Sequence, residues 1–362
     1  MGVALDGGLH RAASSRSLTL SISDSRALFS PEGTYLNTAS YGLPPQPGWA
    51  ALQQALDEWR GGRTSWEGWS ESTDAARAAF ARLVNTDPAR VAVGATVSGL
   101  VGLVAASLPA GSRVIVPEVE FTSTLFPFLV QPGLEVTTVP PTALAGAIDE
   151  RTDAVAFSAV QMSTGEVADL DAILAAADAH DVVCLLDATQ AAGWLPLEAD
   201  RFDFVVAAGY KWLLSPRGTA WMTVAPERLD GILPSQAGWF AGENVHSAYV
   251  GPPLRLARDA RRLDTSPAWF SWVGALPALE LLGEIGIEAI HEHDVRVANH
   301  FRARLDLPPS NSAIVSVEWP GGLERLRAAG IQAAEPAGRL RVGFHLYNDE
   351  EDADLAIDVL QS

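Results

Sequence analysis

The sequence predicts an α/β protein with a doubly wound, mainly parallel sheet, followed by a smaller α+β unit. Short β-branched runs alternate with Ala- and Leu-rich helical segments from about residue 40 to about residue 260. After about residue 268 this alternation gives way to a long helical stretch. Apolar residues make up 48 % of the 362 residues, which provides for a large core and argues against long disordered segments.

The elements of the larger unit follow from periodicity and from turn residues. Residues 47–60 predict an amphipathic helix with proline in its first turn, and residues 72–84 predict a second helix that begins at Ser, Thr and Asp. Helices are also predicted at SGLVGLVAASL and DLDAILAAADAH. The predicted strands are apolar on both faces, as in a buried parallel sheet; they are RVAV, SRVIVP, LEVTTV, AVAFSAV, DVVCLLD, FDFVVAA and GTAWMTV.

The C-terminal part predicts a helical stretch over 269–305, strands at SAIVSVEW and GRLRVGFHL, a helix at GLERLRAAG and a closing helix with an acidic first turn. We therefore expect a small α+β domain, with a functional site between it and the larger one. The predicted division is a disordered leader at 1–17, an N-terminal segment at 18–40, a large α/β domain at 41–267 and the small domain at 268–362.

Charge and composition exclude several classes of partner. The formal net charge is −19 and no basic run is present, so nucleic acid and anionic membranes are poor partners. No run approaches the length of a membrane-spanning helix, and the N-terminus lacks a signal-peptide core. The single cysteine, Cys184, excludes an intrachain disulfide and a thiolate metal cage. We expect a cytoplasmic protein without a metal site, and we interpret HEHD at 291–294 as a solvated helix surface.

Lys211 is the only lysine in the chain; the other basic residues are 24 arginines. A neutral primary amine can form a Schiff base with a carbonyl, which a guanidinium cannot do. Lys211 follows the strand FDFVVAA, and Asp187 ends the preceding strand DVVCLLD. Ligands of parallel sheets gather at the carboxyl ends of the strands, so both side chains are expected at one crevice. A Schiff-base lysine and a carboxylate that pairs with a pyridinium nitrogen are the two requirements of pyridoxal phosphate (PLP) catalysis.

Two motifs, DATQAAG at 187–193 and AAGYKWLLSPRGTAWM at 207–222, resemble fold-type I PLP enzymes of the class V aminotransferase group. The likeness extends from YLNTASYG at 35–42 to RVGFHLYNDEEDAD at 341–354. It implies a PLP cofactor bound to Lys211, with Asp187 at the pyridinium nitrogen and Gln190 at the phenolic oxygen. It also implies a homodimer with sites at the interface, in which Thr265 reaches the phosphate of the neighbouring subunit.

Further site residues are expected around this pair. GATVSG at 94–99 precedes an apolar helix, so Thr96, Val97 and Ser98 form a phosphate site at a helix N-terminus, where Thr96 or Ser98 can equally act as a cap. The resemblance implies that Arg341 binds the substrate α-carboxylate; nearby Arg339, or a surface ion pair of Arg341, is the alternative. The other residues that it implies are Phe121 against the cofactor ring (or in the core), Tyr210 as a hydrogen-bond donor, and Ser40 and Tyr41 near the substrate.

The reaction is inferred from the resemblance and from two departures. A cysteine desulfurase needs a cysteine on a late loop, and no cysteine follows Cys184, so this activity is not expected. Met162 stands at a position where the proteins of this group often have asparagine, so a polar contact of that residue with cofactor or substrate is not expected here. The segment from SQAGWFAGEN to PALELL resembles C–S lyases of the hercynylcysteine sulfoxide type. We therefore expect β-elimination on a cysteine S-conjugate or its sulfoxide, giving thiol or sulfenate, pyruvate and ammonia. The alternative is an aminotransferase, an epimerase or a decarboxylating oxidative deaminase of specialised metabolism; a degenerate, non-catalytic binding protein is disfavoured by the retained Lys211, Asp187 and Gln190.

Overall fold

The computed structural model describes residues 20–362, so the predicted leader at 1–17 lies outside the described residues. A seven-stranded sheet forms the centre of the larger unit, in the order β1-β7-β6-β5-β4-β2-β3. Strand β7 is antiparallel to both of its neighbours, and the other pairs are parallel. The strands are β1 Val91–Gly94, β2 Arg113–Pro117, β3 Glu135–Val139, β4 Ala154–Ser158, β5 Val183–Asp187, β6 Phe204–Ala208 and β7 Ala220–Val224.

Helices pack on both faces of this sheet, and all seven predicted strands are present. The helices of this part are α1 Ile22–Arg26, α2 Gln46–Arg60, α3 Trp66–Leu83, α4 Val97–Ser107, α5 Thr122–Leu129, α6 Leu144–Ala147 and α7 Leu170–His180. Two expectations were wrong in detail. Helix α3 begins at Trp66 rather than near Ser72, and β3 is a largely exposed edge strand rather than a buried one. An edge strand pairs on one side only, which permits its polar residues to face water.

The sheet topology brings the carboxyl ends of six strands to one edge. Every strand except β7 runs in the same direction, because β1 and β6 are both antiparallel to β7 and the remaining pairs are parallel. Strands β5 and β6 are direct neighbours, with Asp187 opposite Val206. The residues that follow these strands therefore converge on one edge of the sheet.

The C-terminal part contains α8 Trp269–Ile285, α9 Ile287–Arg304, β8 Ile314–Val317, α10 Gly322–Ala328, β9 Leu340–Gly343 and α11 Glu350–Gln361. The predicted helical stretch is split at Gly286, whose φ of 92° is unfavourable for other residues. Strands β8 and β9 form an antiparallel pair, and the N-terminal segment joins it through a bridge between Asn37 and Gly343. Helix α8 packs on α2 and α3 of the larger unit.

The HEHD run was wrongly interpreted as a solvated surface. Glu292 is exposed, but His293 is 9 % exposed and Asp294 is fully buried. The reason is that α9 packs against α11 and β8, so the side of α9 that carries His293 and Asp294 faces the interior. Across residues 20–362, no group of His, Cys, Asp and Glu has the arrangement of a metal site. None of the helices in this range is both long enough and apolar enough to cross a membrane.

Candidate active site

A cavity at the carboxyl ends of the strands contains most of the residues singled out by the sequence. It encloses about 640 Å³, including space that opens to solvent. The cavity walls come from the turns that follow β1, β2, β4, β5 and β6, as the topology requires. The predicted residues among its lining are Thr96, Val97, Ser98, Phe121, Asp187, Gln190, Tyr210 and Lys211.

Asp187 is held rigidly at the end of β5. Its side chain is buried, with Oδ1 accepting a hydrogen bond from the Thr189 N–H at 2.8 Å and Oδ2 accepting one from the Thr124 hydroxyl at 2.7 Å. Each carboxylate oxygen retains a lone pair that can accept one more donor. The carboxylate therefore has a fixed orientation and remaining capacity to bind a protonated ring nitrogen.

Lys211 lies in the turn after β6 and is 6 % exposed. Burial lowers the pKa of its amine from the ordinary 10.5 to about 8, and the positive charges of Arg341 and Arg217 act in the same direction. The Asp187 carboxylate opposes this shift by favouring the protonated amine. A substantial fraction of the Lys211 amine is consequently neutral, and so nucleophilic, near physiological pH.

Gln190 and Phe121 both line the cavity. The Gln190 amide is fixed at both ends, because Nε2 donates to the Ala39 carbonyl at 3.0 Å and Oε1 accepts from the Trp212 indole N–H at 2.8 Å. The Phe121 ring is partly exposed, and its centre lies 5.5 Å from Lys211 Nζ. Phe121 is therefore a wall of the cavity rather than a core residue.

The turn after β1 leads into the N-terminus of α4, a type of position at which an anion can bind. Thr96 is the N-cap of α4, and its hydroxyl accepts a hydrogen bond from the Gly99 N–H at 3.2 Å. The first turn of a helix leaves backbone N–H groups without partners within the helix, and these favour an anion. Capping and anion binding are compatible here, because the cap uses only one of those N–H groups.

Arg341, on β9, is 3 % exposed and reaches toward the same cavity. Its guanidinium donates to the Met162 carbonyl at 2.6 Å and to the Ser40 hydroxyl at 2.7 Å, and Met162 lines the cavity. Burial lowers the pKa of Arg341 to about 10, so the group remains charged at neutral pH. Arg339, by contrast, forms an ion pair with Glu318 at the surface. Of the two arginines only Arg341 is buried beside the cavity, although it is not part of the cavity lining. Its binding of the substrate carboxylate remains a prediction.

Tyr41 and Thr265 lie outside the lining of the cavity. The Tyr41 ring packs against Tyr210 with centroids 5.0 Å apart, and its hydroxyl accepts a hydrogen bond from Arg217 at 3.2 Å. The Thr265 N–H donates to the Val93 carbonyl at 3.4 Å, behind the turn that carries Thr96. Its expected contact with a neighbouring subunit remains a prediction.

Sequence reasoning missed several residues of the site. Thr124 and Thr189 fix Asp187, and the Arg217 guanidinium stacks on the Tyr210 ring at 4.6 Å, at the mouth of the cavity. Glu120 accepts hydrogen bonds from the N–H groups of Ser158 and Phe121, and burial raises the pKa of its carboxyl. Arg217 lies six residues after Lys211 within the motif already identified. The contact of Thr124 with Asp187 joins residues 63 positions apart, and no local pattern indicates it.

Comparison with known proteins identifies the family. Residues 54–318 match the family model described as aminotransferase class-V. The chain is 28 % identical to isopenicillin N epimerase of Streptomyces clavuligerus over 336 residues, which cover 79 % of this chain and 83 % of that protein. It is 27 % identical to the uncharacterized aminotransferase YcbU of Bacillus subtilis, over 90 % of this chain and 93 % of that one. The structure of the cystine C–S lyase C-DES with cysteine persulfide superposes with a TM-score of 0.82 at 20 % identity, covering 91 % and 97 % of the two chains.

The residues present fit PLP, which is named as the cofactor in a structure of a lysine-to-alanine variant of C-DES. The buried Lys211 amine faces the cavity, the Asp187 carboxylate can accept from a ring N–H, and the N-terminus of α4 suits a phosphate. Gln190 Nε2 retains a second hydrogen that can bind the phenolic oxygen.

Three independent findings therefore agree: the topology, the match of the family model over most of the chain, and the chemistry of the residues in the cavity. The chain belongs to the aminotransferase class-V family, with the α/β fold of fold-type I PLP enzymes and pyridoxal 5′-phosphate as its cofactor.

Proposed function

We propose that the protein is a cytoplasmic PLP-dependent C–S lyase that catalyses β-elimination on a cysteine S-conjugate or its sulfoxide. The observation that carries the proposal is that the Lys211 amine lines a cavity without a cysteine, and that the charged, buried Arg341 lies beside it, bonded to the carbonyl of the lining residue Met162. The substrate α-carboxylate binds the Arg341 guanidinium, which places Cα beside the Lys211 amine. We assign Lys211 as the base that removes the Cα proton.

The bound cofactor would supply an electron sink that stabilises negative charge at Cα. The negative charge of Asp187 favours a protonated ring nitrogen, and hydrogen bonds from Thr124 and Thr189 hold the carboxylate in position. The Cα–H electrons form the Cα–Cβ double bond as the sulfur substituent leaves Cβ with the C–S pair. Hydrolysis of the released enamine consumes water and gives pyruvate and ammonia. The protonated Lys211 can return its proton to the leaving sulfur.

The absence of a sulfur relay argues for elimination rather than desulfuration. Cys184 is the only cysteine of the chain, and it is the second residue of β5, 3 % exposed and outside the lining of the cavity. Burial raises the pKa of its thiol, which disfavours the nucleophilic thiolate.

An aminotransferase, an epimerase or a decarboxylating oxidative deaminase is the alternative, and the sequence likeness to isopenicillin N epimerase and to YcbU favours it. All these reactions use the same Lys211 and Asp187. They differ in the bond of the substrate that breaks, which depends on how the substrate side chain is held.

A panel of cysteine S-conjugates and their sulfoxides, assayed for pyruvate, CO₂ and change of chirality, tests the proposal. We expect pyruvate and ammonia in equal amounts, with no requirement for a keto acid and no CO₂. Lys211→Ala should abolish the product while retaining a folded protein. A requirement for a keto acid, CO₂ release, or inversion at Cα without pyruvate would replace elimination by the corresponding alternative.

We also propose a homodimer with the two sites at its interface, in which Thr265 reaches the phosphate of the neighbouring subunit. The position of Thr265 outside the cavity of its own chain supports this arrangement. Sedimentation of the holoenzyme should give twice the chain mass. Thr265→Ala should weaken PLP binding without dissociating the dimer, and a monomeric active enzyme would contradict the proposal.

A further inference from the structure

A buried Asp–His pair lies behind the active-site lysine. Asp294 of α9 and His345, which follows β9, are both 0 % exposed. His345 Nδ1 lies 2.7 Å from Asp294 Oδ2, and His345 Nε2 lies 3.1 Å from the main-chain carbonyl oxygen of Trp212. Trp212 is the residue that directly follows Lys211. The pair thus connects a helix of the C-terminal part to the turn that carries the lysine.

The hydrogen-bond partners define the protons on this pair. A carbonyl oxygen only accepts, so His345 Nε2 must carry a hydrogen and donate it to Trp212. Nδ1 then faces a carboxylate oxygen, and one further proton must lie between the two atoms. The pair is therefore neutral overall, with that proton shared between the ring and the carboxyl group. Burial raises the pKa of Asp294, and Asp294 Oδ1 has no hydrogen-bond partner among the described residues; both observations fit a pair that retains its proton.

Trp212 is held from several sides. Its ring N–H donates to Gln190, which lines the cavity, and its carbonyl accepts from His345. The backbone at Trp212 is also approached closely by Gly193, where a Cβ atom would lie 2.3 Å from the Trp212 carbonyl oxygen. Gly193 has a φ of 113°, so the close approach depends on glycine. The peptide next to Lys211 consequently has very little freedom to shift.

We infer that Asp294 and His345 are positioning residues that fix the Lys211–Trp212 peptide, and through it the direction of the Lys211 amine. The same segment of chain carries Arg341 on β9 and His345 just after it. The group expected to bind the substrate carboxylate and the group that holds the lysine therefore belong to one rigid element. This inference rests on the proposed roles of Lys211 and Arg341.

Four variants test this inference on the holoenzyme. His345→Leu and Asp294→Leu remove the donor to Trp212 or the partner that orients the ring. Asp294→Asn retains the pattern, because the amide can donate to Nδ1 while Nε2–H still donates to Trp212. The matched control is His300→Gln. His300, on α9, pairs with Asp354 of α11 at 2.9 Å, but its side chain is partly exposed.

We expect the two leucine variants to lose at least tenfold in kcat, with a smaller change in KM. They should also show an altered visible absorption of the lysine-bound cofactor and release PLP at least tenfold faster. Asp294→Asn and the control should stay within about threefold of the parent for all three. If a leucine variant fails to fold, loss of activity in the folded Asp294→Asn would overturn the inference. So would leucine variants that lose only thermal stability, with kcat, absorption and PLP release unchanged at temperatures where they are folded.

A failure of the positioning role of Asp294 and His345 can be distinguished from a failure of the proposed function. If borohydride reduction of the parent protein does not attach the cofactor to Lys211, the proposed role of the lysine is wrong, and with it the inference. If Lys211 is labelled but elimination does not occur, the positioning readouts of absorption and PLP release still test the pair. Labelling at Lys211 with no effect of the leucine variants would overturn the positioning role alone.

Discussion

The hydroxyl of Thr124, at the start of α5, donates a hydrogen bond of 2.7 Å to Asp187 Oδ2, at the end of β5. Both side chains are buried, so water cannot readily take the place of this hydrogen bond if either partner is removed. The carboxylate expected to bind the cofactor nitrogen is thus oriented by a residue from a different strand–helix connection.

Thr124→Val should reduce kcat/KM about tenfold or more, because loss of one donor to a buried carboxylate costs about 1–3 kcal/mol. Thr124→Ser retains the hydroxyl and should stay within about threefold of the parent. Steady-state kinetics together with the visible spectrum of the holoenzyme measure both effects. Equal activity of the valine and serine variants would show that the hydrogen bond does not contribute to Asp187.

Arg341→Gln should raise KM for the amino-acid substrate roughly 10- to 100-fold, since a charge-assisted hydrogen bond contributes about 1.5–3 kcal/mol. Arg339→Gln is the matched control, because Arg339 lies two residues before Arg341, directly ahead of β9, and pairs with the exposed Glu318. The control should change KM less than twofold. The reverse order of the two variants would assign the substrate carboxylate to Arg339.

Lys211 should bind PLP at a rate that rises with pH up to about 8 and then levels off. Its pKa is lowered to about 8, so the neutral amine accumulates as pH approaches that value. Mixing the apoprotein with PLP at a series of pH values and following visible absorbance measures this profile, with a free alkyl amine correcting for the ionisation of PLP. A profile that keeps rising toward pH 10.5, the ordinary value, would contradict the lowered pKa.

The Asp187→Asn variant tests how the Asp187 carboxylate influences the pH profile of PLP binding. The Asp187 carboxylate raises the pKa of Lys211, so its removal should move the profile to lower pH. In the parent apoprotein the folded-state pKa of Lys211 is below the unfolded value. The unfolded chain therefore binds more protons between about pH 8 and 10.5, and this group makes the apoprotein more stable as pH rises through that range. A profile of Asp187→Asn that moves upward would contradict the assignment.

Arg77 and Asp264 form a buried ion pair behind the turn that carries Thr96. Arg77 Nη2 lies 2.7 Å from Asp264 Oδ2, and Asp264 also accepts from the Val93 N–H. Arg77→Met leaves a buried carboxylate without its partner, which should cost about 3–5 kcal/mol in the free energy of unfolding. Urea unfolding measures the loss. Arg60→Met, in the exposed pair of Arg60 with Asp57, is the control and should cost less than about 0.5 kcal/mol.

The double variant Arg77→Met/Asp264→Leu separates charge from packing. Replacing both partners by apolar groups removes the unpaired charge, so it should be less destabilising than Arg77→Met alone. A double variant that loses as much as the sum of the two single variants would show that the pair acts only through packing.

The sequence determined the fold class and the central chemistry of this protein. Seven apolar runs separated by helical segments predicted the sheet because buried parallel strands have a local signature, and all seven are present. Lys211 and Asp187 were predicted to lie together because Asp187 ends one such run and Lys211 follows the next, and parallel strands place their carboxyl ends at one edge. These are properties of single segments, which the order of residues specifies.

Only the tertiary structure decided which residues support that pair. Thr124 and the Asp294–His345 pair reach this region from segments far from Lys211 and Asp187 in the chain. Asp294 was interpreted as solvated together with the rest of the polar HEHD run. Burial distinguishes Arg341 from Arg339, which local pattern alone could not do, and so favours Arg341 as the predicted carboxylate-binding residue. The physical reason is that hydrogen bonds and desolvation depend on distances between elements, and these distances are fixed only when the elements pack.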